Sequence, residues 1–202
     1  MNARATPFRL GLTGSIGMGK TTTAAMFADL GIDVWDADAA VHRLYAEGGP
    51  AGPLIAPLCP AAVDAAGRVD RQVLSAWIME DTANLARLEA IVHPLVAADR
   101  ARFIAEATSD IVLLDIPLLY ETGLVHTVDA VAVVSVPAEV QRARVLERPG
   151  MTTQKFDAIL ARQMPNAEKA ARADYVIETS TLEGARRTVE DIVKAIRAEL
   201  HA

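Results

Sequence analysis

The sequence predicts an α/β fold in which a five-stranded, mostly parallel sheet is flanked by helices. Short apolar runs alternate with helical patterns along the 202 residues, and this alternation is typical of a parallel sheet covered on both faces. The first apolar run ends directly at a glycine-rich loop, as expected for a buried strand that feeds a helix. The predicted strands are 8–12, 32–35, 111–114, 130–136 and 175–177.

The helical patterns between these strands predict an insertion, a lid and a closing helix. A helix beginning near Ala39 must break in the glycine- and proline-rich stretch 48–60. Residues 74–107 are predicted to be helical, with Pro94 in the first turn of a second helix. Ser180 and Glu183 match the capping box of a C-terminal amphipathic helix. We therefore expect a core of about 1–38, 108–140 and 173–202, a helical acceptor-binding subdomain of about 39–107, and a lid of about 141–172.

Composition excludes several classes of partner. The formal charge of -6 and the pI near 5.2 give no general attraction to nucleic acid or to anionic lipid, so an anionic ligand needs locally placed Lys and Arg. The MNARATPF start has no signal-peptide core, and no apolar run reaches the roughly 20 residues of a membrane span. The single cysteine, Cys59, has no partner for an internal disulfide. We expect a globular cytoplasmic protein, and a chain of this size can bury its core as a monomer.

The glycine-rich loop carries a specific motif. In LTGSIGMGKTTT, the residues Gly14, Gly19, Lys20 and Thr21 have the GxxxxGK[ST] spacing of a P-loop, between a predicted strand and a predicted helix. Its backbone N–H groups and the helix N-terminus bind phosphates, the lysine reaches the β- and γ-phosphates of ATP, and the threonine hydroxyl binds Mg²⁺. The alternative is a glycine-rich turn with a solvated lysine. The predicted nucleotide contacts are Gly14, Ser15, Ile16, Gly17, Met18, Gly19, Lys20, Thr21 and Thr22.

Two acids follow the second predicted strand. Asp36 and Asp38 lie where parallel strands end beside a P-loop, and two acids two apart in an extended chain point the same way. One carboxylate could accept a proton from an attacking hydroxyl while the other supports magnesium through water. Because Asp also favours helix N-caps, either residue could instead simply begin the next helix.

A basic segment, 141–172, surrounds a break at Pro149 and Gly150. A lid of this composition can place a guanidinium against the transferred phosphoryl group and exclude water. Arg142 is the first candidate for that role. For any single arginine the alternative is a solvated helix surface.

Five segments in this order resemble the dephospho-CoA kinase family over nearly the whole chain. They are GLTGSIGMGKTT at 11–22, DAD at 36–38, IVHP at 91–94, IPLLYE at 116–121, and QRARVLER at 141–148 followed by ARQ and ADYVI. The resemblance implies a P-loop NTPase fold and ATP-dependent phosphorylation of the ribose 3′-hydroxyl of dephospho-CoA. The chain departs from the family pattern after the last predicted strand, where it reads Ile177, Glu178, Thr179, Ser180 and the family often has Asn. The residues that contact adenine there are therefore not assigned.

By this resemblance Asp38 is the general base, Asp36 supports it, and Lys20 and Arg142 stabilise the phosphoryl group. His93 and Pro94 are similar to a signature of the family's helical domain near the dephospho-CoA site. A lone histidine on a helix is, however, more often structural. Leu119 and Tyr120 could equally belong to the core. The remaining implied contacts are Leu118, Leu119, Tyr120 and Glu121 on the acceptor side and Arg148, Arg162 and Gln163 in the lid.

Two other functions remain open from sequence alone. Another small-molecule kinase with a P-loop would share every feature except the residues around Asp38, His93 and Glu121 that are expected to bind the phosphoryl acceptor. A nucleotide-hydrolysing switch is disfavoured because the chain has neither an Asn-Lys-x-Asp motif nor a Ser-Gly-Gly-Gln signature.

Overall fold

The computed structural model describes residues 6–202. The first five residues of the N-terminal segment MNARATPF, in which no signal-peptide core is predicted, lie outside this range. The strands are β1 (Phe8–Thr13), β2 (Asp33–Asp36), β3 (Ile111–Asp115), β4 (Ala130–Ser135) and β5 (Tyr175–Glu178). The helices are α1 (Lys20–Asp29), α2 (Ala37–Tyr45), α3 (Gly52–Ile55), α4 (Arg71–Glu80), α5 (Ala83–Glu106), α6 (Ala138–Leu146), α7 (Thr153–Leu160), α8 (Asn166–Ala171) and α9 (Leu182–Leu200), with 3₁₀ turns at Pro60–Ala62 and Leu124–Thr127.

The five strands form one sheet in the order β2-β3-β1-β4-β5, and β1 pairs in parallel with both β3 and β4. This confirms the predicted fold class, with strand ends shifted by a residue or two. Every residue of β3 is buried, as expected for a central strand covered on both faces. In the register of β1 and β3, Leu12 lies opposite Asp115, so Asp115 is at the same edge of the sheet as the loop that follows Thr13.

The chain divides into two compact units. One contains the chain up to Val34 and from Ala107 onward, and the other is Trp35–Glu106. In the first unit, α1 and α9 contribute the buried residues Phe27, Val189 and Ile196 to the core around the sheet. The second unit is helical and has its own apolar core, which includes Leu74 and Cys59. The predicted lid lies within the first unit, as α6, α7 and α8.

Three predicted helix boundaries are wrong. Helix α2 begins at Ala37, because the Asp36 side chain accepts a hydrogen bond from Ala39 N and caps it two residues earlier than expected. Helix α9 is capped by Thr181 and not by Ser180. The Ser180 hydroxyl instead donates to Glu178.

The third wrong boundary concerns Pro94, which lies inside α5 and not in its first turn. The helix break occurs much earlier, where Asp81 Oδ1 accepts a hydrogen bond from Ala83 N at 2.9 Å. An aspartate that binds the first free N–H groups of a helix defines its start more strongly than a proline that only removes one donor.

Candidate active site

The P-loop joins the end of β1 to the start of α1. Its backbone is left-handed at Gly17 (φ 81°) and Gly19 (φ 91°), conformations that L side chains rarely adopt. Gly19 is the N-cap of α1 and provides no side-chain cap for the helix. The N–H groups of the first turn of α1 have no carbonyl partner within their own helix, so this end can bind an anion.

The far side of the loop is packed against its neighbours. A Cβ on Gly17 would lie 2.4 Å from Val145 Cγ2, and a Cβ on Gly19 would lie 2.9 Å from Thr179 Oγ1. The Thr179 hydroxyl donates to the carbonyl oxygen of Met18 at 2.7 Å. The loop therefore needs glycine at 17 and 19 for space as well as for backbone conformation.

Arg144 fixes Thr179 in turn, since its guanidinium donates to the Thr179 carbonyl oxygen at 2.8 Å. Thr179 is buried, and its hydroxyl contacts the loop. Sequence reasoning included Arg144 in the basic segment but singled out Arg142, because spacing alone does not tell which arginine of α6 faces the loop.

Two of the predicted nucleotide contacts are held by the lid. The N–H of Ser15 donates to Asn166 Oδ1, and the N–H of Ile16 donates to Gln163 Oε1. The N–H of Met18 donates to the Ser15 carbonyl oxygen at 3.3 Å. The N–H groups of Gly17, Gly19, Lys20 and Thr21 are therefore the donors near the start of α1 that we consider for a ligand.

Asp115 is a site residue that the sequence analysis missed. Its carboxylate pairs with the ammonium of Lys20, and its side chain is 2 % exposed against 17 % for Lys20. The sequence does contain a signal for Asp115: it is an acid that directly follows a fully apolar predicted strand, and such a strand ends at the carboxyl edge of a parallel sheet. The hydroxyl of Thr21, an exposed residue in the first turn of α1, and the carboxylate of Asp115 are both oxygen donors of the kind that Mg²⁺ prefers.

The acidic pair lies at the start of the helical unit. Asp36 ends β2 and caps α2, while Asp38 lies in the first turn of α2 with an exposed side chain. The chain turns into a helix between them, so the extended backbone on which their expected common direction rested is not present. His93, on α5, is exposed, which does not fit a histidine packed among apolar helix residues.

The 117–121 turn has mixed roles. Leu118 is 40 % exposed, whereas Leu119 is fully buried and belongs to the core, which corrects the prediction that it contacts a ligand. The Tyr120 hydroxyl is buried and has no hydrogen-bond partner among the described residues, and burial together with the charge of Asp174 raises its pKa. Glu121 pairs with Lys169, as described below.

The Arg142 side chain contacts α7, which is also part of the predicted lid. It lies 3.5 Å from a carboxylate oxygen of Asp157 and 5.7 Å from the ring centroid of Phe156, both on α7. Arg148 and Arg162, the other predicted lid arginines, have exposed side chains. Their contact with a phosphoryl group stays a prediction.

A phosphate-binding loop between β1 and α1, with a lysine at its end and a parallel sheet behind it, defines a P-loop nucleotide-binding protein. Solved structures agree: a Thermus thermophilus protein superposes with a TM-score of 0.81 at 34% identity, over 96% of this chain and 98% of that one. At 18% identity and a TM-score of 0.52, the shikimate kinase of Acinetobacter baumannii, matched over 96% of this chain and 95% of its own, shares the fold.

The chain belongs to the dephospho-CoA kinase family, whose profile matches residues 8–183. The dephospho-CoA kinase of Cereibacter sphaeroides is 61% identical over 95% of this chain and 96% of its own. That of Ruegeria pomeroyi is 60% identical over 96% of this chain and 99% of its own.

No helix within residues 6–202 combines the length and the apolar character needed to cross a membrane.

Proposed function

We propose that the protein transfers the γ-phosphoryl group of ATP to the ribose 3′-hydroxyl of dephospho-CoA, giving coenzyme A and ADP. The observation that carries this proposal is the match to dephospho-CoA kinases over nearly the full length of both chains, together with a P-loop that ends in Lys20. The main rival is a small-molecule kinase with another acceptor, and the shikimate kinase that shares the fold is only 18% identical, against 61% and 60% for the two dephospho-CoA kinases.

In this mechanism the P-loop holds the terminal phosphates. The N–H groups of Gly17 and of Gly19 to Thr21, at the open N-terminus of α1, bind the anion, and Lys20 neutralises charge on the transferred group. Mg²⁺, when bound, would neutralise the β- and γ-phosphate oxygens, and the Thr21 hydroxyl and the Asp115 carboxylate are the oxygen donors that would hold it.

Asp38 is the proposed base. Its exposed carboxylate takes the proton of the 3′-hydroxyl as the new O–P bond forms and the bond from the γ-phosphorus to the bridging oxygen of ADP breaks. Positioning and charge stabilisation supply the rest, with no covalent enzyme intermediate. Asp36 supports Asp38, and Arg142 with the lid closes over the phosphates. We place this activity in a cytoplasmic monomer that binds neither nucleic acid nor membranes.

The test is a coupled ADP-release assay with and without dephospho-CoA. We expect release to depend on dephospho-CoA, and Asp38→Asn to lower kcat by about 10² to 10⁴-fold while the Kd for ADP stays unchanged. Asp191→Asn, at an exposed position of α9, is the matched control and should behave as wild type. Transfer to other acceptors but not to dephospho-CoA would refute the substrate assignment, and hydrolysis that needs no acceptor would favour a switch.

A further inference from the structure

The first half of the P-loop is held by amide side chains from the 163–166 segment, which contains the end of the connection from α7 and the first residue of α8. Gln163 Oε1 accepts a hydrogen bond from Ile16 N at 3.1 Å, and Asn166 Oδ1 accepts one from Ser15 N at 3.0 Å. Two neighbouring N–H groups of the loop are thus bound by two side chains about 150 residues away in sequence. Ser15 is almost fully buried at this contact, with 4% of its surface exposed.

The amide of Asn166 is fixed on its other side as well. Its Nδ2 donates to the carbonyl oxygen of Val134 and to the hydroxyl of Ser135, each at 3.2 Å, at the end of β4. Because the nitrogen meets two acceptors and the oxygen meets an N–H donor, only one orientation of the amide satisfies all three partners. Asn166 therefore links the P-loop to the carboxyl end of β4.

The ion pair between Glu121 and Lys169 supports the 163–166 segment. Glu121 Oε1 accepts from Met164 N at 2.9 Å and lies 2.8 Å from Lys169 Nζ. The Lys169 side chain is fully buried, and its ammonium also lies 3.4 Å from the Pro117 carbonyl oxygen. Burial raises the pKa of Glu121, but the hydrogen bonds from Lys169 and from backbone N–H groups outweigh burial and keep it below its usual value.

The P-loop has a physical need for such support. Glycines at 14, 17 and 19 leave its backbone with many accessible conformations, whereas phosphate binding requires one in which the later N–H groups converge. External hydrogen bonds that fix Ser15 and Ile16 reduce the conformational entropy that nucleotide binding must otherwise remove.

We propose that Gln163 and Asn166 are positioning residues of the phosphate site: they hold Ser15 and Ile16 so that the N–H groups of Gly17 and of Gly19 to Thr21 face the nucleotide. The Glu121–Lys169 pair holds the two amides in place. The catalytic part of this inference rests on the proposed function. It also assigns Glu121, which resemblance places on the acceptor side, and Gln163, which resemblance places in the lid, to support of the nucleotide site.

The test replaces Gln163 by methionine, which has a similar length and no acceptor oxygen. We expect Gln163→Met to raise the KM for ATP by about fivefold to tenfold, as loss of one hydrogen bond implies, with the KM for dephospho-CoA within twofold of wild type. Gln154→Met, at an exposed position of α7, is the matched control. A general loss of folding would instead lower kcat and the melting temperature without separating the two KM values.

A second measurement needs no substrate. Amide hydrogen exchange in the ligand-free protein should be about fivefold to tenfold faster at Ile16 in Gln163→Met, and at Ser15 in Asn166→Leu, than in wild type. If the ATP KM of Gln163→Met equals that of Gln154→Met, or if exchange at Ile16 is unchanged, the proposal is overturned. If wild type fails to phosphorylate dephospho-CoA, the proposed function fails, while the exchange rates still decide whether these amides hold the loop.

Discussion

Lys20, the lysine of the P-loop motif, forms an ion pair with Asp115 at the end of β3. Asp115 is almost completely buried, and a carboxylate in such a place is costly to leave without a cation. In this structure Lys20 thus has a structural partner as well as its expected role toward phosphate.

We first predict that the two roles of Lys20 can be separated. Lys20→Met should lower turnover by at least about 100-fold because a charge that stabilises the transferred phosphoryl group is lost. It should also destabilise the protein by about 3 kcal/mol, because the buried Asp115 carboxylate loses the ammonium of Lys20. Urea unfolding and the coupled assay measure the two effects.

The double variant Lys20→Met with Asp115→Asn is the control for the stability effect of Lys20→Met. Removing both charges should restore most of the lost stability without restoring turnover. If Lys20→Met unfolds no more easily than wild type, the ion pair contributes nothing to stability.

A second prediction concerns Gly19, which needs both a left-handed backbone and free space. Gly19→Ala places a Cβ 2.9 Å from Thr179 Oγ1 at φ 91°, so the loop must move and turnover should fall by roughly 100-fold. Gly31 has a similar φ of 78°, but a Cβ added there would meet no atom within 4 Å, so Gly31→Ala is the matched control.

Both substitutions should cost about 1 to 2 kcal/mol of unfolding free energy from backbone strain, and only Gly19→Ala should lose activity. Equal loss of activity in the two variants would mean that strain, and not the geometry of the phosphate site, explains the effect. Unfolding curves and steady-state kinetics on the same preparations make the comparison.

A third prediction follows from Asp129, at the opposite edge of the sheet from the P-loop. The hydrogen bond from the Arg9 side chain, followed by backbone and charge contributions, lowers the pKa of Asp129 despite burial. The folded state therefore binds this proton less readily than the unfolded chain. The resulting stabilisation is fully present above the unfolded pKa of about 3.9 and is lost as the pH falls through the lower folded pKa.

Asp129→Asn should accordingly be less stable than wild type near pH 7, with the difference shrinking as the pH falls below about 4. Turnover near pH 7 should not change, because Arg9 and Asp129 lie away from the site. Urea unfolding of both proteins from acid to neutral pH measures this difference. A constant difference across that range would show that the carboxylate charge is not its source.

The fold class was predictable because the strands and the helices between them follow from local patterns. Each buried strand shows as an apolar run, and the GxxxxGK[ST] spacing places the site at the end of the first one. Helix starts were predicted less well: Asp36 and Thr181 cap α2 and α9, Asp81 accepts a hydrogen bond from Ala83 N at the start of α5, and several nearby residues have the same capping chemistry.

The site was predictable only in part. Lys20 and Thr21 carry their roles in the motif itself, whereas the contact of Asn166 with Ser15 joins positions 151 residues apart and leaves no local pattern. Leu119 and Leu118 are adjacent in one motif, yet one is in the core and the other is exposed, which depends on how the turn packs. Contacts made by tertiary packing are the part that sequence patterns do not contain.

The last prediction separates two roles of Asp36, which caps α2 through a hydrogen bond of 2.7 Å from Ala39 N. Asparagine caps a helix about as well as aspartate, whereas alanine does not, at a cost of about 1 kcal/mol. Asp36→Ala should therefore lose that stability, and Asp36→Asn should keep it. If the carboxylate also supports Asp38 and magnesium, Asp36→Asn should still lower kcat by about tenfold with an unchanged Kd for ADP. Full turnover in Asp36→Asn, alongside reduced stability in Asp36→Ala, would leave Asp36 as a helix cap alone.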